Sequence, residues 1–132
     1  MTVLGVDPGR DKCGLAVVDD SGAILWRAIV PTARLADELR PLADKWNIEH
    51  VALGDSTTSG DARRVVDELF GAERVALVDE RNSTLEARVL YFEAHPPRGW
   101  KRLWPMSLQV PGEPVDDFAA AIVARRWLAA NP

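Results

Sequence analysis

Three acidic positions stand where a fold could gather them. An apolar run, Val3-Leu4-Gly5-Val6, ends in Asp7; another, Val75-Ala76-Leu77-Val78, is followed by Asp79-Glu80-Arg81; and Val115-Asp116-Asp117 opens an apolar helical pattern. A strand that delivers an acid to its end and then turns on Pro8 and Gly9 presents an oxygen donor at the rim of a sheet. Acids from three such ends, brought to one place, form the skeleton of a divalent-metal site, because Mg²⁺ and Mn²⁺ are hard cations that prefer carboxylate oxygen.

Each acid also has a plainer reading. Asp7 could accept backbone N–H groups in its own Asp-Pro-Gly turn, and Glu80 could be a surface acid beside Arg81. Asp116 and Asp117, in the first turn of a helix, would each stabilise its dipole by ~0.3–1 kcal/mol. Asp55 follows the short apolar run Val51-Ala52-Leu53-Gly54. It either caps Ser56 or Thr57 or joins the ligands, leaving the second ligand open between Asp55 and Glu80.

Cations lie near these acids. Arg10 and Lys12 flank the first, and Arg81 follows Glu80, where it could meet a substrate phosphate or pair with a neighbouring acid. The stretch Arg98-Gly99-Trp100-Lys101-Arg102-Leu103-Trp104 interleaves basic residues with indoles. Basic groups there can neutralise phosphates, and rings can stack on unpaired bases for ~1–3 kcal/mol each; the alternative is that the tryptophans pack on the domain or on a second subunit. His50 and His95 have no Cys or His partner at ligand spacing, which argues against zinc. No Gly-x-Ser-x-Gly or Walker-type loop occurs.

The elements that must position these residues follow from periodicity and turn signals. Residues 3–7, 13–19 and 23–30 read as three strands, the last two joined by a tight Asp20-Ser21-Gly22 hairpin. Thr32 can cap a helix over 33–46 with Leu35, Leu39, Leu42 and Trp46 on one face, where Pro41 predicts a kink or two short helical pieces. A strand over 50–54, a helix from Asp61 to the Gly71 stop, and a strand over 75–78 come next. Ser83 and Glu86 form a capping-box pattern for a helix to about residue 94. Prolines and glycines make 95–114 a long loop, and a helix over 115–129 closes the chain. A three-strand meander followed by alternating helix and strand gives an α/β fold with a mixed five-stranded sheet, antiparallel then parallel. Ligands of such sheets sit beyond the carboxyl ends of the parallel strands.

The 132 residues make one domain, 1–132, and the 47% hydrophobic and 27% charged composition is that of a globular protein. A net charge of −4 argues against a protein that coats nucleic acid electrostatically, although acids that hold cations count as negative here. The single cysteine, Cys13, falls in an apolar strand and excludes an internal disulfide. With no signal-like or membrane-spanning run, a cytoplasmic location is expected.

The order of elements, with Asp7 after the first strand, Gly14 seven residues later and Val115-Asp116-Asp117-Phe118-Ala119-Ala120-Ala121 starting the last helix, resembles the RNase H-like fold. Within that fold, Val78-Asp79-Glu80-Arg81-Asn82-Ser83-Thr84-Leu85-Glu86-Ala87-Arg88 is similar to the Asp-Glu-Arg motif of the YqgF/RuvX family, nucleases of ribosomal RNA precursors also described as resolvase-like. Asp7-Pro8-Gly9 looks more like the Holliday-junction resolvase RuvC, and Asp55 stands where resolvases keep a catalytic Glu.

The resemblance implies a nuclease using one or two Mg²⁺ or Mn²⁺ ions. Asp7, Glu80 and Asp116 are then the catalytic acids, with Asp117 a further metal ligand, direct or through water. Arg10, Lys12, Arg81, Arg98, Trp100, Lys101 and Arg102 become the nucleic-acid contacts. A precursor RNA is the first expected substrate and a four-way DNA junction the second; for the latter, two symmetric cuts call for a C₂ homodimer. A nucleic-acid-binding domain without chemistry is a separate reading. So is a sugar-kinase or actin-like ATPase, although such enzymes need two domains.

Overall fold

The fold is set by how the first strand divides its side chains. The computed structural model describes residues 1–56, 59–81, 83–95 and 115–131. Strand β1 (Thr2–Asp7) sends Leu4 and Val6 to one face of the sheet, while Val3, Gly5 and Asp7 share the other. The same alternation runs through β2 (Lys12–Asp19), where Cys13, Leu15 and Val17 oppose Gly14, Ala16 and Val18. With β3 (Ile24–Pro31), β4 (His50–Gly54) and β5 (Val75–Val78) the sheet has the order β3-β2-β1-β4-β5. β1–β2 and β2–β3 are antiparallel, β1–β4 and β4–β5 parallel, as the meander and crossover pattern requires.

Large aliphatic side chains cover one face. Leu4, Val6, Leu15, Val17, Val51 and Leu53 pack with Leu35, Leu39 and Leu42 of α1 (Leu35–Trp46) and Val66 and Phe70 of α2 (Ser59–Phe70). Helix α1 runs continuously through Pro41 rather than breaking into two pieces. Its three buried leucines, worth about 1.5–3 kcal/mol each, outweigh the ~3 kcal/mol cost of an internal proline. Thr32 does not cap this helix; its hydroxyl donates to the Gly9 carbonyl at 2.9 Å and so ties the end of β3 to the Asp7-Pro8-Gly9 turn.

Small residues cover the other face, and that brings a helix unusually close. Helix α4 (Asp116–Ala130) lays Ala120, Ala121 and Ala124 against Val3, Ala16, Val18 and Ala52. A Cβ at Gly5 would overlap the Ala120 carbonyl, and one at Gly14 the Asp116 carbonyl. The two glycines therefore let the α4 backbone rest directly on β1 and β2. Helix α3 (Ser83–Ala94) packs on α4 through Ala87, Tyr91, Phe118 and Ala119. The Ser83–Glu86 capping box does not close in the expected way, because Glu86 Oε1 accepts from Arg126 Nη2 at 2.7 Å. The proline-rich stretch and its tryptophans lie outside the described residues from 96 to 114.

Candidate active site

Asp7 ends β1 on the face that α4 covers, and both its neighbours across the ladder are glycine. Gly14 is its partner on β2. On the other side, Val6 pairs with Leu53, so the parallel register places Gly54 next to Asp7. Each glycine admits one further acid. Over Gly14 comes the first turn of α4, with Asp116. Over Gly54 lies the Glu80 carboxylate, whose Oε2 occupies the place a Cβ would need. A glycine inside a strand commonly marks such a close approach.

Electrostatics record the crowding. Burial, a hydrogen bond shared with Glu80, the charge of Glu80 and the charge of Asp116 together push the Asp7 pKa from 3.8 up to about 8. The close approach of the two carboxyl groups thus favours a proton held between Asp7 and Glu80. Glu80 Oε2 is buried, and apart from the contact with Asp7 no N–H or hydroxyl among the described residues reaches it. A carboxylate pair in this condition is satisfied by a shared proton or by a cation. Among the described residues no three such donors are already closed into a metal-holding cluster. Asp7 and Glu80 touch, while Asp116 acts on Asp7 through space and is held by Lys12, Nζ to Oδ2 3.5 Å. The donor set is all oxygen, and one buried oxygen has no N–H or hydroxyl partner among the other described residues, so these residues fit a hard divalent cation better than they fit one another.

An open cavity of about 300 Å³ lies beside the acids, lined by Asp7, Pro8, Gly9, Arg10, Asp11, Lys12 and Asp116. Arg10 and Lys12 are exposed there and bring positive charge to its edge. Arg81 is exposed in the turn after β5; its N–H donates to Asp79 Oδ1 at 2.8 Å, which makes Asp79 the residue that shapes the turn. Asp55 is exposed, and its Oδ1 accepts a long 3.4 Å bond from the Glu80 N–H. Of the two candidates for the second acid, Glu80 is the one that reaches Asp7.

Asp117 departs from the expected ligand set. Its Oδ2 pairs with Arg27 Nη1 at 2.6 Å, its Oδ1 accepts the Phe118 N–H, and the Arg27 guanidinium lies over the Phe118 ring. It neither lines the cavity nor acts on the Asp7 charge. The reason is helical geometry: consecutive residues point about 100° apart, so with Asp116 facing the cavity Asp117 turns toward β3. Arg98, Trp100, Lys101 and Arg102 lie outside the described residues. Sequence reasoning missed Gly54 as the seat of Glu80, although a glycine closing an apolar strand was the available signal.

A five-stranded sheet of this order, with α4 across the face that carries Asp7, has the RNase H-like fold. RuvC of T. thermophilus in complex with a Holliday junction substrate superposes with a TM-score of 0.64 at 17% identity, covering 98% of this chain and 95% of that one. The fowlpox virus Holliday junction resolvase gives 0.52 at 16% identity, over 95% and 94%. Family membership comes from sequence. A family model described as the Tex protein YqgF-like domain matches residues 1–78. Proteins named "Putative pre-16S rRNA nuclease" in strains of Xanthomonas oryzae pv. oryzae are 31% identical over 98% of this chain and 88% of theirs. The chain belongs to the YqgF-like family.

Proposed function

We propose that this chain is a nuclease that hydrolyses phosphodiester bonds of structured nucleic acid with the help of Mg²⁺ or Mn²⁺, acting as one domain on precursor ribosomal RNA. One observation carries the reading: the Asp7 and Glu80 carboxyl groups are pressed together, and Glu80 Oε2 is buried over Gly54 with no N–H or hydroxyl donor from any other described residue. A bound divalent cation would supply Lewis acidity and an activated water at that point. Asp7 and Glu80 would hold it, and Asp116 would complete the set once it leaves Lys12. Lys12 and Arg10, at the mouth of the cavity, then bind and orient the phosphate by charge. Asp117 is proposed to keep Arg27 rather than ligate. Arg81, exposed beside Glu80, is a further phosphate contact. The protein names of the relatives support an RNA precursor.

A four-way DNA junction is the second substrate, favoured by the Asp7-Pro8-Gly9 opening and by the junction-bound relative of the same fold; a two-fold dimer and a cytoplasmic location belong to these readings as expectations. Among the described residues no helix is long and apolar enough to cross a membrane. The test is cleavage of labelled precursor rRNA, single-stranded RNA and four-way DNA by the purified protein with Mn²⁺, beside Asp7→Asn. Cleavage that needs both the metal and Asp7 is the expected result. Binding that survives EDTA, with no cleavage under any metal, would show a domain that holds nucleic acid without cutting it.

A further inference from the structure

Glu80 belongs to no regular element. It follows β5, a four-residue strand at the edge of the sheet, and precedes α3, which packs on α4. Its turn is closed locally by two bonds, the Arg81 N–H to Asp79 Oδ1 and the Ser83 N–H to the Glu80 carbonyl at 3.0 Å. Local bonds fix the shape of a turn. They do not fix where the turn sits over Gly54, and Glu80 Oε2 must fall on that glycine to meet Asp7.

Among the described residues, Asp55 holds the turn only through the long 3.4 Å bond from the Glu80 N–H and the bond from its own N–H to the Val78 carbonyl; the short side-chain tie to the rest of the molecule comes from α4. Arg126 Nη1 donates to the Asp79 carbonyl at 2.8 Å, and Nη2 of the same guanidinium pairs with Glu86 Oε1 at 2.7 Å. One planar fork thus grips the residue before Glu80 and the first turn of α3 at once, a geometry that the single ammonium of lysine cannot reproduce. Helix α4 also carries Asp116 at its N-terminus, and its backbone is seated on β1 and β2 at Gly5 and Gly14. We propose that Arg126 is a positioning residue: it references the Glu80 turn to the helix that bears Asp116, so that acids from β1, the β5–α3 turn and α4 keep one mutual geometry. This rests on the proposed metal-dependent function for its purpose, though not for its contacts. It also accounts for Glu86, whose side chain is drawn to the fork instead of back to the start of its own helix.

The test compares wild type, Arg126→Ala and Arg126→Lys by residue-resolved amide hydrogen exchange without metal and by Mn²⁺ titration calorimetry. The Ala variant is expected to lose about 10–100-fold in Mn²⁺ affinity, the range for groups that orient metal ligands. Exchange at the Arg81 and Ser83 amides is expected to rise, with the amides of α2 unchanged. The Lys variant keeps charge and stem, falls between the two, and carries the comparison alone should the Ala variant fail to fold. Unchanged exchange at Arg81 and Ser83, or wild-type Mn²⁺ affinity in a folded variant, overturns the proposal. So does a uniform rise in exchange throughout α3 and α4, which is what loss of helix packing alone would give. If wild type itself takes up no Mn²⁺ while exchange at the turn still responds, the metal-dependent function fails and the positioning of the turn by Arg126 stands.

Discussion

Two aspartates end neighbouring antiparallel strands, Asp7 on β1 and Asp19 on β2, and therefore sit at opposite ends of the sheet. Asp19 is fully served: its Oδ1 accepts from the Ser21 N–H, the Ser21 hydroxyl and the Ala23 N–H. These bonds, the Ser21 hydroxyl foremost, hold its pKa below the usual 3.8. Asp7 meets the reverse. It is half-buried against two other acids, and its pKa rises to about 8. The same residue type at the same kind of strand end thus stabilises a hairpin at one pole and stores repulsion at the other. Carboxylates placed where no donor among the described residues satisfies them mark a site for a ligand, whereas a satisfied one marks a turn.

The contrast breaks most completely if Asp7 is neutralised. Because groups that merely orient metal ligands are worth about 10–100-fold, Asp7→Asn should lower cleavage by more than about a hundredfold. The same substitution should raise the melting temperature of the metal-free protein at pH 8, since it removes a half-buried charge that Glu80 and Asp116 repel. A variant that loses activity and stability together would contradict this.

Gly54→Ala comes next. The new methyl meets the Glu80 carboxylate, which can swing away, and lies 3.2 Å from Pro8 Cδ, so folding should change less than at Gly14 while Mn²⁺ affinity and cleavage fall at least about tenfold. Gly14→Ala is the sharper control for stability, because its methyl meets the Asp116 backbone instead. Overpacking of that kind costs about 1–3 kcal/mol, readable as a shifted denaturant midpoint. If the two variants behaved alike, the distinction between a seat for a ligand and a seat for a helix would be lost.

Asp117→Ala should cost stability by about 1.5–3 kcal/mol, the worth of a hydrogen bond to a charged group, and leave Mn²⁺ affinity within a few-fold. A large loss of affinity in that variant would return Asp117 to the ligands.

The pH dependence without metal sharpens the contrast between the two aspartates themselves. A carboxyl with a raised folded pKa binds more protons folded than unfolded between pH 3.8 and about 8. Its contribution to stability therefore falls as pH rises through that window. Asp19, with a lowered pKa, acts oppositely: its contribution is present above 3.8 and fades as pH drops through the lower folded value. Thermal melts in EDTA should show Asp7→Asn flattening the slope between pH 5 and 8, and Asp19→Asn leaving that slope intact while lowering the melting temperature slightly.

Much of this was readable before any coordinates. Apolar runs with clear turn residues gave five strands within a residue or two, and Asp7, Glu80 and Asp116 stood out as acids at element ends. What stayed hidden was relational. The sequence does not say that Glu80 leans over Gly54, that Arg126 grips its turn, or that Arg27 on β3 captures Asp117. Each depends on side chains from elements 25 to 90 residues apart meeting in space, as the Asp55–Glu80 and Arg27–Asp117 contacts do. Of the two outcomes that Pro41 allowed, a kink or two separate pieces, the separate pieces are ruled out by one helix over Leu35–Trp46, whose buried Leu39 and Leu42 flank the proline.

The most direct measurement is anomalous diffraction from crystals soaked in Mn²⁺ at pH 8. A Mn²⁺ peak bonded to the carboxylates of Asp7 and Glu80, with Asp116 drawn in from Lys12 and Asp117 still on Arg27, is the predicted result. An Asp7–Glu80 pair that stays in contact with no ion between or beside it, at Mn²⁺ concentrations that support cleavage, would contradict the account.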